Sequence, residues 1–132
     1  MQENHQFNVV DITDNFDGQD IKENSAIAGI AYFIFFLPLI INPNSSFARY
    51  HVNQSLLILL SSLAVGIVGG VLSAIFHIVH IPIIGVLFSL VIYLARLAIG
   101  LGIFVLWLVE MIDAFNGKAK KYPIIGDITL IK

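Results

Sequence analysis

A nearly charge-free run from Ser55 to Val109 constrains this chain most, because Arg96 is its single Asp, Glu, Lys or Arg residue. A second apolar run, 25–41, precedes it. Apolar stretches of about 18 or more residues with few charges are typical of transmembrane helices. The apolar residues run continuously and do not alternate as they would in a β-barrel. The sequence therefore predicts an all-α, polytopic membrane helical bundle.

The apolar runs predict three transmembrane helices, at about 25–41, 55–78 and 85–113. The segment 80–85 contains a proline and a glycine, which separate the second span from the third, and Asn116-Gly117 provides a C-cap for the third. The alternative has four spans, with a break near Arg96. We prefer three spans because no turn residue flanks Arg96.

The two ends of the chain differ in charge. Residues 1–24 hold six acidic residues against Lys22, and we expect them to form a solvent-exposed tail before a single transmembrane domain at 25–132. The last sixteen residues are rich in lysine. Because Lys and Arg favour the cytoplasmic side, the C-terminus is predicted to be cytoplasmic with three spans or four. The N-terminus would be outside with three spans and inside with four.

A stripe of small residues follows one face of the second predicted helix. Its members recur at every fourth position: Ser62, Gly66, Gly70 and Ala74. Such a stripe lets another helix approach closely. We expect packing within the chain, with homo-oligomerisation as the alternative.

Arg96 is the candidate intramembrane polar site. A charge at mid-membrane costs at least about 2.5 kcal/mol, so it should face the bundle interior or a wet cavity. One interpretation is a polar pathway or a partner contact. The other is an interfacial arginine at a helix break, as the four-span arrangement would have it.

Polar residues cluster where the second helix begins. Arg49, Tyr50, His51, Asn53 and Gln54 border the apolar run, where unpaired amides would be unfavourable. They are interpreted either as interfacial anchors or as a docking surface formed with the C-terminal segment.

The sequence predicts no enzyme. We find no catalytic set, cofactor motif, metal site or basic patch for nucleic acid, and the chain has no cysteine. His77 and His80 alone would make a poor metal site. Glu110 and Asp113 lie near the end of the third span and are expected to be solvated. The expected partners are the lipid bilayer and other membrane proteins.

Two polar motifs resemble a known family. These are FARYHVNQSL at 47–56 and, near the C-terminus, DAFNGKAK at 113–120 followed by YPIIGDI at 122–128. They are similar to motifs of small bacterial membrane proteins related to the channel-like subunit of the chloroplast inner-envelope import translocon, the TIC complex. The resemblance implies the bacterial cytoplasmic membrane and a link to protein import, and the plastid relatives have four helices.

Together these observations predict a non-enzymatic accessory or interaction subunit in membrane protein translocation, assembly or envelope maintenance. The alternative is a homo-oligomeric channel or transporter with Arg96 lining a polar path. The candidate interaction residues come from the two motifs: Arg49, Tyr50, His51, Asn53, Gln54, Asn116, Gly117, Lys118, Pro123 and Gly126.

Overall fold

The computed structural model describes residues 9–79, 82–123 and 125–131, and most of these residues are helical. Within these ranges the regular structure consists of helices and one short antiparallel sheet. In chain order the elements are β1 (Val10–Asp11), a 3-10 turn (Thr13–Asn15), α1 (Gly18–Ile30), α2 (Leu37–Ile41), α3 (Ser46–Ile78), α4 (Pro82–Phe115) and β2 (Lys120–Lys121).

The chain divides into two compact units. Unit 1 contains Met1–Leu57 and Trp107–Lys132, and unit 2 contains Ile58–Leu106. Unit 1 thus includes both strands, α1, α2, the first turns of α3 and the last turns of α4. The most fully buried large side chains belong to unit 1, among them Phe47, His51 and Gln54.

The acidic segment expected to be a solvent-exposed tail over 1–24 is folded from Val10 onward. Strand β1 pairs with β2 near the other end of the chain, with Val10 opposite Lys121. Helix α1 begins at Gly18, and the Asp17 side chain caps it by accepting from the backbone N–H of Gln19. The expectation failed because acidic side chains in this segment accept hydrogen bonds from backbone N–H groups. The acidic composition alone does not reveal these contacts. Residues 1–8 lie outside the described ranges.

The first predicted span, 25–41, is not one helix. Helix α1 ends at Ile30, turns occupy 31–36, and α2 resumes for five residues at Leu37. Pro38 contributes to the interruption, because it has no N–H to donate to the carbonyl of Ile34, and it lies in the first turn of α2, where proline is tolerated.

Helices α3 and α4 are, in the described part of the chain, the two that are long and apolar enough to cross a membrane. The structure therefore supports two spanning helices and not specifically three. Helix α3 ends at Ile78, and α4 begins at Pro82, inside the segment 80–85 that was expected to separate the spans, because proline suits the first helical turn. His80 and Ile81 lie outside the described residues. Helix α4 runs unbroken through Arg96, so it lacks the break that the four-span alternative requires.

The end of α4 has a specific C-terminal cap. Gly117 adopts φ 72°, a left-handed conformation that glycine accepts readily. Its N–H donates to the carbonyl of Ala114 (3.1 Å), and the N–H of Lys118 donates to that of Asp113 (2.8 Å). This pair of bonds is the Schellman motif. The predicted Asn116-Gly117 stop is therefore confirmed, and the chain is turned back toward β2.

Unit 2 has an apolar exterior. Large side chains such as Ile83 and Val86 are 78% and 68% exposed on α4, and Ile67 on α3 is 57% exposed. Apolar surface of this extent is unfavourable in water and suits contact with lipid. Within the unit, the rings of Phe76 and Phe88 stack with centroids 4.8 Å apart.

Candidate functional site

The interior of unit 1 is unusually polar. Its buried polar and charged residues come from α1, α3, α4 and the turn before α3: Asn24, Ser45, His51, Asn53, Gln54, Ser55, Glu110 and Asp113. Buried polar groups are unfavourable unless they are hydrogen-bonded. Their partners therefore decide what this unit is built to do, and we call the set the polar interior.

Tyr32 lies at the centre of the polar interior. Its hydroxyl is 2.9 Å from Nδ1 of His51 and 2.9 Å from Oε2 of Glu110. The opposite ring nitrogen of His51, Nε2, is 3.0 Å from the carbonyl oxygen of Lys118. The carbonyl of Tyr32 accepts from the indole N–H of Trp107 at 2.9 Å. One tyrosine after α1 thus connects the start of α3 with the end of α4.

The start of α3 holds the C-terminal segment through side chains. The hydroxyl of Tyr50 donates to the carbonyl of Lys120 at 2.7 Å. The Asn53 amide donates to the carbonyl of Ile131 (2.8 Å) and accepts from the backbone N–H groups of Leu130 and Ile131 (2.9 and 2.5 Å). The Asn53 side-chain amide therefore pairs with backbone N–H and C=O groups, as a neighbouring β-strand would.

Asp113 anchors the same segment from α4. Its two carboxylate oxygens accept from Nζ of Lys120 (3.1 Å) and from the hydroxyl of Tyr122 (2.7 Å). Burial, together with the hydrogen bond to Asp113, raises the pKa of Tyr122 above its ordinary value. Tyr122 therefore stays protonated and remains a donor at physiological pH.

The N-terminus of α3 is capped twice. Ser45, which is buried, accepts from the N–H of Ala48 (3.0 Å), and Asp20 of α1 accepts from the N–H of Phe47 (3.0 Å). Asp20 contributes negative charge where the helix dipole is positive. Asn24 accompanies it by donating to the other oxygen of Asp20 at 2.9 Å.

Three atoms of this region remain without a partner among the described residues: Nε of Arg49, Oε1 of Gln54 and Oε1 of Glu110. Arg49 does use its Nη2 to donate to the carbonyl of Pro43. The unpartnered oxygens lie on two of the most buried polar residues, Gln54 and Glu110, which are 1% and 2% exposed.

The structure brings most of the predicted interaction residues together in unit 1, but it turns them inward to different degrees. His51, Asn53, Gln54 and Gly126 are buried. Asn116 and Lys118 are exposed, and the others are half-buried: Arg49, Tyr50, Gly117 and Pro123. Asn116 and Lys118 are therefore the two predicted interaction residues that are exposed at the surface of unit 1.

Unit 2 contains the other predicted residues. A Cβ built on Gly66 or Gly70 of the small-residue stripe would meet no atom within 4 Å. A Cβ on Gly69, one position off the stripe, would collide with the Arg96 side chain. Arg96 of α4 thus packs across Gly69 of α3, beside a groove of about 310 Å³ with otherwise apolar walls. Gly69 thus leaves room on α3 for the Arg96 side chain.

Sequence reasoning missed Tyr32 as the central residue, and it was wrong to expect solvated carboxylates at Glu110 and Asp113, which are 2% and 7% exposed. Spacing offered one signal: Glu110 and Asp113 lie one turn apart in the final turns of an apolar helix. The segment after the Gly117 turn covers Asp113 through Lys120 and Tyr122, whereas Glu110 contacts Tyr32. In the described residues, no group of three or more His, Cys, Asp or Glu side chains is placed to hold a metal ion.

Comparison with known proteins corrects the family resemblance. A model of the magnetosome magnetite crystal formation protein family matches residues 23–130, a stretch that includes both polar motifs. The relation to the chloroplast import translocon that these motifs suggested is therefore wrong. The motifs are short, and the apolar spans between them match many membrane proteins by composition alone.

A membrane protein of Methanocaldococcus jannaschii, of the group named UPF0132, is similar as well. The two are 32% identical over 103 residues, which cover 75% of this chain and 62% of the relative. The chain thus spans less than two thirds of the length of that relative. No solved structure matches the chain significantly. Because the family model covers most of the sequence and the two long apolar helices agree with it, the protein is a membrane protein that belongs to the magnetosome magnetite crystal formation protein family.

Proposed function

We propose that the protein is a non-enzymatic subunit that assembles with other membrane proteins through unit 1. The observation that carries the proposal is the hydrogen bonding of the polar interior. It joins the C-terminal segment to the start of α3 and the end of α4, as in the bond from His51 to the carbonyl of Lys118. A binding surface that is already ordered loses little conformational entropy when a partner docks.

The distribution of charge supports a cytoplasmic location for unit 1. With two spans, the segments before α3 and after α4 lie on the same side of the membrane. Every Lys and Arg except Arg96 then belongs to that side or to the helix ends next to it. Since Lys and Arg near spans favour the cytoplasm, both termini would be cytoplasmic. The N-terminus would therefore be cytoplasmic, whereas the three-span arrangement places it outside.

The length of the helices agrees with this arrangement. The parts of α3 and α4 within unit 2 are about 32 and 38 Å long at about 1.5 Å per residue, enough to cross a hydrocarbon layer of about 30 Å. The remaining turns of each helix belong to unit 1 and can project into the cytoplasm.

Crosslinking in cells tests the proposal. A tagged full-length copy is crosslinked, purified in mild detergent and measured by native mass and peptide mass spectrometry. We expect a membrane protein at fixed ratio, and we expect Lys118→Glu to reduce its recovery while Asp14→Asn, an exposed control, does not. A homo-oligomer without another partner, accompanied by ion flux in liposomes, would favour the channel alternative and refute the proposal.

The family match favours a second, more specific function. The family is described by its part in magnetite crystal formation. We propose that the chain can serve in a membrane where this mineral forms, by assembly rather than by catalysis. The test replaces the family member of a magnetite-forming host with this chain and measures crystal size by electron microscopy. Restored crystals would support the specific function, and crystals no different from the deletion strain would refute it.

A further inference from the structure

The contacts of Tyr32 require an additional proton. Nε2 of His51 faces the carbonyl oxygen of Lys118, which can only accept, so Nε2 carries a hydrogen. A neutral His51 then offers Nδ1 as an acceptor to Tyr32. An ionised Glu110 would offer Oε2 as a second acceptor to the same hydroxyl. Tyr32 has one hydroxyl proton, and it cannot fill two contacts of 2.9 Å at once.

Two arrangements satisfy both contacts. In the first, a neutral Glu110 donates from Oε2 to the Tyr32 oxygen, and Tyr32 donates to Nδ1 of His51. In the second, a doubly protonated His51 donates from Nδ1 to the Tyr32 oxygen, and Tyr32 donates to the Glu110 carboxylate. Each arrangement contains one proton more than a neutral histidine beside an ionised glutamate.

We propose that Glu110, Tyr32 and His51 form a buried proton-binding site that holds this one proton. The two arrangements interconvert when the proton on Oε2 of Glu110 passes to the Tyr32 oxygen as the Tyr32 proton passes to Nδ1 of His51. One O–H bond breaks and one forms at Tyr32, and no other reactant is needed. The site thus links α4, the segment after α1, and α3 through a single proton.

The surroundings supply a second observation. Oε1 of Glu110 has no partner among the described residues, which would leave an ionised carboxylate poorly compensated in the interior. The rings of Phe47 and Tyr50 lie against His51, with centroids 4.8 and 5.3 Å from its own. A proton on the site removes the net negative charge from this interior.

The other titratable groups around the site lie on α3, on α4 and in the C-terminal segment. They are Tyr50 on α3, Asp113 on α4, and Lys118, Lys120 and Tyr122 in the C-terminal segment. Asp113 is already paired with Lys120 at 3.1 Å. This ion pair therefore does not require an ionised Glu110 as a partner.

Spectroscopy of the wild-type protein provides the test. The full chain, labelled with ¹³C at the glutamate side-chain carboxyl, is measured in mild detergent at neutral pH. Glu3, Glu23 and Glu110 are the glutamates, so the label separates them from every aspartate. A protonated carboxyl band in the infrared, absent from Glu110→Gln, or a His51 ring protonated on both nitrogens by ¹⁵N NMR, would each support the site. An ionised Glu110 beside a neutral His51 would overturn it.

A pH series of unfolding in mixed micelles adds a thermodynamic test. Above about pH 6.5 an unfolded chain leaves both histidine and glutamate without this proton. The folded site still holds it, so rising pH must favour unfolding, by about tenfold in the equilibrium constant per pH unit for one proton, until the folded site releases it. In Glu110→Gln the amide replaces the donor to Tyr32, and this dependence should disappear. Glu23→Gln, on the exposed side of α1, should retain it. Equal slopes for wild type and Glu110→Gln would overturn the proposal.

Discussion

Replacing Asn53 with alanine should release the C-terminal segment while the helices stay folded. The Asn53 side chain makes three hydrogen bonds to the backbone of Leu130 and Ile131. Each bond contributes about 1 kcal/mol net, but the freed groups can bind water because Leu130 is 46% exposed. We therefore expect a loss of about 2 kcal/mol, which raises the open population of this segment about 30-fold.

Amide hydrogen exchange measures this opening directly. The amides of Leu130 and Ile131 should exchange about 30-fold faster in Asn53→Ala than in wild type. Amides of α4 should keep their protection, and Asn44→Ala, in the exposed turn before α3, should change neither group. Exchange at 130–131 within twofold of wild type would show that Asn53 does not hold the segment, and the reasoning would fail.

Three further changes test other parts of the structure. Gly29→Ala should lower stability by about 1–3 kcal/mol in thermal unfolding, because its Cβ would lie 2.5 Å from the aromatic ring that ends α4. Gly69→Ala should displace the Arg96 side chain from α3, measured as a shifted Arg96 Nε–H signal in NMR, because the new Cβ collides with that side chain. Thr13→Val should raise the pKa of Asp11 in an NMR titration, because it removes the hydroxyl hydrogen bond that, with the backbone N–H at position 13, holds that pKa below its usual value. In wild type the stability from this contact is present at neutral pH and is lost as the pH falls through the lowered pKa of Asp11. The corresponding controls, each expected to stay near wild type, are Gly18→Ala, Gly66→Ala and Asp14→Asn.

The two long helices could be predicted from the sequence because their determinants are local. Apolar runs of sufficient length, proline at position 82 and glycine at position 117 place the helix ends within a few residues of the observed ones. The sequence did not show in the same way whether the first span forms one continuous helix. Its composition is apolar, and whether Pro38 bends a spanning helix or divides it depends on what the turn at 31–36 packs against.

Only some residues of the polar interior and its contacts could be predicted from the sequence. The helix-start residues His51 and Asn53 stood out because amides and imidazoles are unusual beside an apolar run. Tyr32 and Glu110 did not, since each is a single polar residue in an apolar or terminal stretch, 78 positions apart from the other. Nothing local indicates that two such residues share a hydrogen bond.

The sequence by itself therefore determined that this is a helical membrane protein and where its long helices begin and end, because hydrophobicity, capping and turn formation act over a few residues. Only the tertiary structure decided which polar groups are buried and paired. Those pairings, such as Tyr32 with His51 and Glu110 or Asn53 with Ile131, join distant parts of the chain. The free energy of a buried polar group depends on the partner that folding brings to it. The residues adjacent to that group in the sequence do not identify this partner.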